Sequence, residues 1–128
     1  MNKEINKEIK KLIEKAKNDK KVLAVALFGS SLNGKGRDID ICIFLDKKYS
    51  NLEMSKKRMR LLSKCPSNFD IQIFQQLPVY IRKRILKEAK ILFCKNLPLL
   101  YEIYFQTIKE FNFFEKLYNM YLEKVQNG

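Results

Sequence analysis

The chain has 128 residues, of which 46% are hydrophobic and 31% are charged, as is ordinary for a soluble globular protein. This length has room for one domain with a real core, so we expect a single domain over residues 1–128. No apolar segment is long enough to span a bilayer, and the first residues are too acidic and too periodic for a signal peptide. We therefore expect a cytoplasmic protein without a membrane partner.

The net charge of +12, from 26 basic and 14 acidic residues, predicts attraction to nucleotides, RNA or an acidic protein. The lysines are spread along the chain, and lysine-rich surfaces also arise from genome composition or growth at high temperature. Nucleic acid is therefore not expected as the main partner. The chain has three cysteines and no histidine, which argues against structural zinc and against a disulfide framework.

The first half of the chain predicts a helix, two strands and a second helix. Residues 22–28 are apolar throughout, which is typical of a strand buried on both faces, and residues 38–45 form a second such run. The first helix is predicted from apolar residues at helical spacing, which are Ile5, Ile9, Leu12, Ile13 and Ala16. Residues 51–64 predict a surface helix that packs one side on the sheet and carries Leu52, Met59 and Leu62.

The second half predicts a third strand at residues 69–74, where polar and apolar side chains alternate. A helix follows at residues 79–90 with Ile81, Ile85 and Ala89 inward, and residues 91–93 predict a short fourth strand. A long helix then covers residues 98–125. The fold class is therefore α/β (α+β), a small mixed sheet of three to four strands packed with helices, with a catalytic core at 1–96 and a helical extension at 97–128.

Two aspartates open the second strand. Asp38 and Asp40 are two residues apart, so their side chains point to the same face of a strand. Two neighbouring carboxylates repel each other unless they share a cation or a proton, and Mg²⁺ is a hard cation that takes one or two protein carboxylates. The pair predicts a metal site, with a solvated strand end as the alternative.

A short glycine-containing loop precedes these aspartates. Gly29 lets backbone N–H groups approach an anion closely, and Ser30 adds a hydroxyl donor. Within the seven loop residues that follow, Lys35 and Arg37 either bind a triphosphate or are solvated loop charges. The loop is therefore interpreted as a phosphate site.

Asp70 lies on the polar side of the third strand, where an unpartnered carboxylate would cost free energy. If this strand lies beside the second, the three aspartates converge. The alternative is a solvent-facing carboxylate on an edge strand. Because the chain has no histidine, a general base must be a carboxylate, and Asp70 is the candidate. Cys42 alternates with Asp40 and is interpreted as a buried free thiol.

This arrangement resembles the minimal nucleotidyltransferase (MNT) family of the DNA polymerase β-like superfamily. Gly29 and Ser30 match its GS motif, Asp38 and Asp40 its D-x-D, and Asp70 its third aspartate. The resemblance implies the polymerase β-like fold, catalysis by the three aspartates with two Mg²⁺ ions, and ATP as substrate. It further implies AMP transfer to a tyrosine of a HEPN-type toxin, with this chain as the antitoxin.

Other functions stay open beside this one. A non-catalytic antitoxin or scaffold would use the fold only to bind a partner, although three converging carboxylates without a metal would then carry an electrostatic cost. Transfer of a nucleotide to a small molecule or to RNA is a further alternative. A small-molecule acceptor usually requires an additional domain, for which this chain lacks the length.

The C-terminal helix is dense in aromatic residues that occupy more than one face. There are eight of them, Tyr101, Tyr104, Phe105, Phe111, Phe113, Phe114, Tyr118 and Tyr121. A small sheet cannot cover so many rings, and large exposed apolar patches are typical of interfaces. The helix therefore predicts contact with a partner or a homo-oligomer. Packing against the domain's own core is the alternative.

Overall fold

The computed structural model describes residues 3–29 and 38–127. Its helices are α1 (Lys3–Asn18), α2 (Asn51–Leu62), α3 (Val79–Glu88) and α4 (Leu97–Asn127), with a short 3-10 helix at Phe74–Gln76. Its strands are β1 (Val22–Phe28), β2 (Ile39–Leu45), β3 (Phe69–Ile73) and β4 (Lys90–Cys94). The predicted mixed α/β architecture and the long C-terminal helix are confirmed.

The strands form one mixed sheet in the order β3-β2-β1-β4. β1 pairs antiparallel with β2 and with β4, whereas β2 and β3 are parallel. The two central strands are buried along almost their whole length, as expected for strands covered on both faces. β3 lies at one edge of the sheet in the part of the chain that the structure describes.

One face of the sheet is covered by α1 and α2. The predicted inward side of α1 is confirmed, since Ile9, Leu12 and Ala16 are buried. The predicted apolar side of α2 is wrong for two of its three residues, since Leu62 alone of them is half-buried against the core. Leu52 is 65% and Met59 is 59% exposed, and the buried residues of this helix are Met54 and Leu61.

The spacing of α2 explains that error. Leu52 and Met59 are seven residues apart, and so are Met54 and Leu61, so each pair forms a stripe along the helix. The two stripes are about 200° apart around the axis, which places them on nearly opposite sides. The sequence does not distinguish them, and packing against the sheet buries the second pair.

The opposite face of the sheet is covered by α3 and the first turns of α4. Phe44 of β2 stacks on Phe74 with ring centroids 4.3 Å apart, and Tyr104 of α4 lies 6.1 Å from Phe44. Ile85 of α3 and Leu100 of α4 are buried in the same cluster. An ion pair of 2.8 Å between Arg82 and Glu110 joins the two helices.

The helix α4 has two different halves. Up to residue 111 it has buried and half-buried residues, and residues 112–127 are exposed on every side. The prediction of excess aromatic surface is therefore confirmed for the second half, whereas the first half packs on the domain's own core. In the described ranges, no helix combines the length and the apolar character needed to cross a membrane.

Candidate active site

The pairing of β2 with β3 brings two predicted site residues together. Asp40 and Asp70 are Cα partners on these parallel strands, so their side chains leave neighbouring positions on the same face of the sheet. Asp38 is exposed and lies directly before β2. Asp70 lies beside the D-x-D strand and also on an edge strand, where its side chain is 45% exposed.

The charges of these aspartates act on one another. The pKa of Asp40 is raised above its usual value, chiefly by burial and then by the negative charges of Asp70 and Asp38. Ionisation of Asp40 is therefore unfavourable, both because the group is partly buried and because two negative charges lie nearby. A bound cation would relieve that repulsion.

Gly29 ends β1 directly beside Asp40. Its φ of +69° lies in the left-handed region, which glycine adopts without the steric cost that a side chain brings. A Cβ at this position would lie 2.6 Å from Oδ2 of Asp40, which is far inside van der Waals contact. Glycine is therefore required here both for the backbone conformation and for the space beside the carboxylate.

Asp70 is held by two side chains that the sequence analysis did not identify. Nη2 of Arg58 in α2 lies 3.5 Å from Oδ1 of Asp70, and Nε of Arg58 donates to the carbonyl of Ile71 at 2.5 Å. Nε2 of Gln72 donates to Oδ1 and Oδ2 of Asp70 at 3.3 and 3.4 Å. The two-residue period of β3 places Gln72 on the same side of the strand as Asp70, so the sequence could have identified it. No local pattern identifies Arg58.

The predicted metal site is not a preformed cage. Within residues 3–29 and 38–127, no group of three acidic, cysteine or histidine side chains lies close enough together to hold one ion. The donors nevertheless suit Mg²⁺, which takes one or two carboxylates and completes its coordination with water and substrate phosphates. The carboxylate of Asp40, which packs against Gly29, is a group that a cation would stabilise.

The remaining candidates divide into two groups. Ser30, Lys35 and Arg37 lie outside the described residues, so their contacts with phosphate stay predictions. Cys42 is a free, fully buried cysteine, and burial raises the pKa of its thiol well above the usual range. It packs in the same cluster as Phe44 and Phe74, which confirms the interpretation of a buried thiol.

Comparison by sequence finds one family. A family model described as "Polymerase beta, Nucleotidyltransferase" matches residues 10–97. A protein of Methanocaldococcus jannaschii named "Putative protein adenylyltransferase" is 35% identical over 82 residues. The match covers 62% of this chain and 62% of that relative's length.

Comparison by structure finds the same fold. One chain of a toxin–antitoxin crystal structure with AMP-PNP has a TM-score of 0.68 at 20% identity, covering 94% of this chain and 97% of that chain. One chain of a tri-AMPylated Shewanella oneidensis HEPN toxin in complex with an MNT antitoxin has a TM-score of 0.67 at 18% identity, covering 94% of both chains. These likenesses confirm the predicted polymerase β-like architecture.

Proposed function

Since this chain belongs to the polymerase β nucleotidyltransferase family, we propose that it is an enzyme that transfers AMP from ATP to an acceptor hydroxyl. One observation carries the proposal: Asp40 and Asp70 pair on adjacent parallel strands, and the Asp40 carboxylate packs against a glycine turn that has no room for a side chain. Carboxylates beside a glycine turn offer sites for a cation and for the phosphates that accompany it.

The proposal includes magnesium dependence. Asp38, Asp40 and Asp70 would hold the ions. Arg58 and Gln72 both contact Oδ1 of Asp70, so these contacts would rearrange to let Asp70 bind an ion. Mg²⁺ bound there would supply charge stabilisation for the entering and leaving oxygens, as in other two-metal sites. The raised pKa of Asp40 supports a cation at this position, because its charge would favour the ionised carboxylate.

Side chains and backbone of this chain would bind the phosphates and accept the proton of the acceptor. Gly29 and Ser30 bind the phosphates, and Lys35 and Arg37 offset their charge. Asp70 accepts the proton of the acceptor hydroxyl, whose oxygen forms a bond to the α-phosphorus. The bond from the α-phosphorus to the bridging oxygen of the β-phosphate breaks, and pyrophosphate leaves with that electron pair. Arg58 and Gln72 orient Asp70.

The acceptor is proposed from the names of the similar proteins. One is named as a protein adenylyltransferase, and another match is the complex of an AMPylated HEPN toxin with an MNT antitoxin. We propose that this chain acts as the antitoxin and modifies a tyrosine of a HEPN-type toxin partner. A likeness at 18% identity shows the fold alone, so the partner is proposed by analogy.

The experiment uses the full-length chain, a purified HEPN-type toxin and ATP labelled at the α-phosphate. Asp38→Asn combined with Asp40→Asn should abolish label transfer and Mg²⁺-dependent ATP binding, because two anionic metal ligands are lost while the side-chain shape is kept. Asp46→Asn is the matched control, since this residue follows the opposite end of β2, and it should transfer normally. Calorimetry showing equal ATP affinity in the double variant would remove the metal-site interpretation.

A second candidate is a non-catalytic antitoxin. The contacts of Arg58 and Gln72 with Asp70 favour it, because they occupy the carboxylate in the absence of substrate. This candidate predicts that the double aspartate variant neutralises the toxin as well as the wild type does. AMP transfer predicts that neutralisation requires ATP and is lost in the double variant.

A further inference from the structure

A small cavity lies next to Gly29 on the side of the sheet that α3 covers. Its volume is about 230 Å³, and it is lined by Phe28, Gly29, Ile81, Arg84, Ile85 and Glu88. We refer to it as the α3 cavity. Phe28, Ile81 and Ile85 give it apolar walls. These residues belong to the hydrophobic cluster around Phe44 and Phe74, on the side of the sheet that α3 and α4 cover. Arg84 and Glu88 provide its charged groups and pair with each other at 3.3 Å across an exposed face of α3.

The α3 cavity is continuous with the aspartate site. Gly29 lines the cavity, and the same residue adjoins Oδ2 of Asp40. Phe28 is the Cα partner of Asp40 between β1 and β2, and side chains of directly paired residues lie on the same face of a sheet. A ligand with its phosphates at Gly29 and Asp40 therefore has this cavity within reach of its remaining part.

The size and lining of the cavity select one part of a nucleotide. Typical ligand sites have about 300–1,000 Å³, so this smaller space has room for a base and not for a whole nucleotide. Flat apolar rings suit the walls formed by Phe28 and the two isoleucines. The Glu88 carboxylate accepts hydrogen bonds and donates none when ionised, so it favours a base that presents an amino group.

Building on the proposed function, we propose that the α3 cavity binds the base of the nucleoside triphosphate and that Glu88 accepts a hydrogen bond from the exocyclic amino group of adenine. Inosine triphosphate has a carbonyl oxygen in place of that amino group. In the cavity this oxygen would face the Glu88 carboxylate, and neither group could donate a hydrogen bond to the other. The Glu88 side chain is 48% exposed, so the loss is that of one hydrogen bond to a charged group, together with the repulsion between two acceptors. Glu88 thus discriminates between a base that presents an amino group to the cavity and one that presents a carbonyl oxygen.

The test is equilibrium binding to the full-length protein in Mg²⁺, with three probes: ATP, inosine triphosphate and inorganic tripolyphosphate. Glu88→Gln should reduce the preference for ATP over inosine triphosphate about tenfold, because an amide both donates and accepts hydrogen bonds. Glu115→Gln in the exposed half of α4 is the matched control and should keep the wild-type preference. Ile81→Trp, which fills the cavity from a half-buried position, should weaken ATP binding about tenfold or more and leave tripolyphosphate binding unchanged.

The outcomes separate this proposal from the one on which it rests. If the wild type binds tripolyphosphate and ATP with Mg²⁺ but Glu88→Gln keeps the wild-type preference, the base lies elsewhere while the transferase proposal survives. If Ile81→Trp melts like the wild type and binds ATP equally well, the cavity is likewise excluded. If the wild type binds none of the three probes, both proposals are wrong. Should Ile81→Trp fail to fold, the Glu88→Gln comparison decides alone.

Discussion

At the scale of single residues, the carboxylate of Asp70 is held by Arg58 and Gln72. Asp70→Asn should leave ATP affinity within about tenfold and slow AMP transfer by about 10²-fold or more, since an amide cannot accept the acceptor's proton. Single-turnover transfer of labelled AMP and calorimetry measure the two quantities separately. Transfer at nearly the wild-type rate would show that Asp70 is not the base.

Arg58 provides a second test at this scale. Its contacts to Asp70 and to the Ile71 carbonyl would fix the direction in which the carboxylate points. We expect Arg58→Ala to lower kcat about tenfold with little change in KM for ATP, because misplacing a reacting group costs rate without removing binding. Arg60→Ala, an exposed arginine of the same helix, is the control. A kcat equal to that of the control would contradict a positioning role.

Gly29 should tolerate no side chain. Gly29→Ala would meet the Asp40 carboxylate, and left-handed backbone costs about 1–2 kcal/mol for a residue with a Cβ. We expect the variant to lose Mg²⁺-ATP binding and to lose about that much free energy of unfolding. Calorimetry and urea unfolding measure both effects. Unchanged ATP affinity would show that phosphate does not approach this turn.

The residues predicted from the sequence are those that local periodicity marks. Strand alternation predicts that Asp38 and Asp40 share a face, although Asp38 lies directly before β2 in the structure. The same rule places Asp70 on the polar side of its own strand. Arg58 could not be found in this way, because it reaches Ile71 over 13 residues of sequence through the packing of α2 on the edge strand. Tertiary contacts of this kind have no signature in one sequence.

At the scale of elements, every predicted helix and strand within residues 3–29 and 38–127 is present, with ends that differ by a few residues. Long apolar or alternating runs specify an element strongly. The order and direction of the strands could not be predicted in this way, because they depend on which strand edges pair in the folded sheet. The prediction for α2 was wrong at Leu52 and Met59 for a related reason, because the sequence offers two stripes of equal apolar character and does not say which one faces the sheet.

The two halves of α4 should differ in their effect on stability. Leu100 is only 2% exposed and packs in the hydrophobic cluster around Phe44 and Phe74. Leu100→Ala should therefore lower the free energy of unfolding by about 2–5 kcal/mol. Leu117→Ala in the distal half, where the side chain is 50% exposed, should change it by about 0.5 kcal/mol or less. Urea unfolding at low protein concentration makes the comparison. Equal losses would mean that the distal half also packs on the domain.

At the scale of the whole molecule, one apolar stripe of α4 continues from the core into solvent. Its members recur at alternating spacings of four and three residues, the heptad pattern of packed helices. They are Leu100, Tyr104, Thr107, Phe111, Phe114, Tyr118, Tyr121 and Val125. The first four are buried or half-buried and the last four are exposed. Phe114 stacks on Tyr80 of α3 with ring centroids 6.3 Å apart, and the domain leaves the stripe beyond it uncovered.

The family model ends at residue 97, where α4 begins, and the division into 1–96 and 97–128 stays a prediction. Large exposed apolar surfaces mark interaction sites. Phe114, Tyr118 and Tyr121 present such a surface on residues 112–127, which would extend about 24 Å along a helix axis. This surface suits a helical partner such as the proposed toxin, or a second copy of the chain.

Truncation after Glu110 tests this surface, because it removes the exposed half of α4 together with the half-buried Phe111. It keeps both the Arg82–Glu110 ion pair and the contact of Tyr104 with Phe44. The shortened chain should fold and bind Mg²⁺-ATP but no longer associate with its partner, as light scattering and co-purification would show. In the full-length chain, Tyr118→Glu with Tyr121→Glu should have the same effect, since burying two carboxylates in an apolar contact is costly. Tyr101→Glu, at a proximal position that is 63% exposed, is the matched control and should associate normally. If the partner still co-purifies with the truncated chain, and both forms are monomers by light scattering, the interface lies elsewhere on the domain.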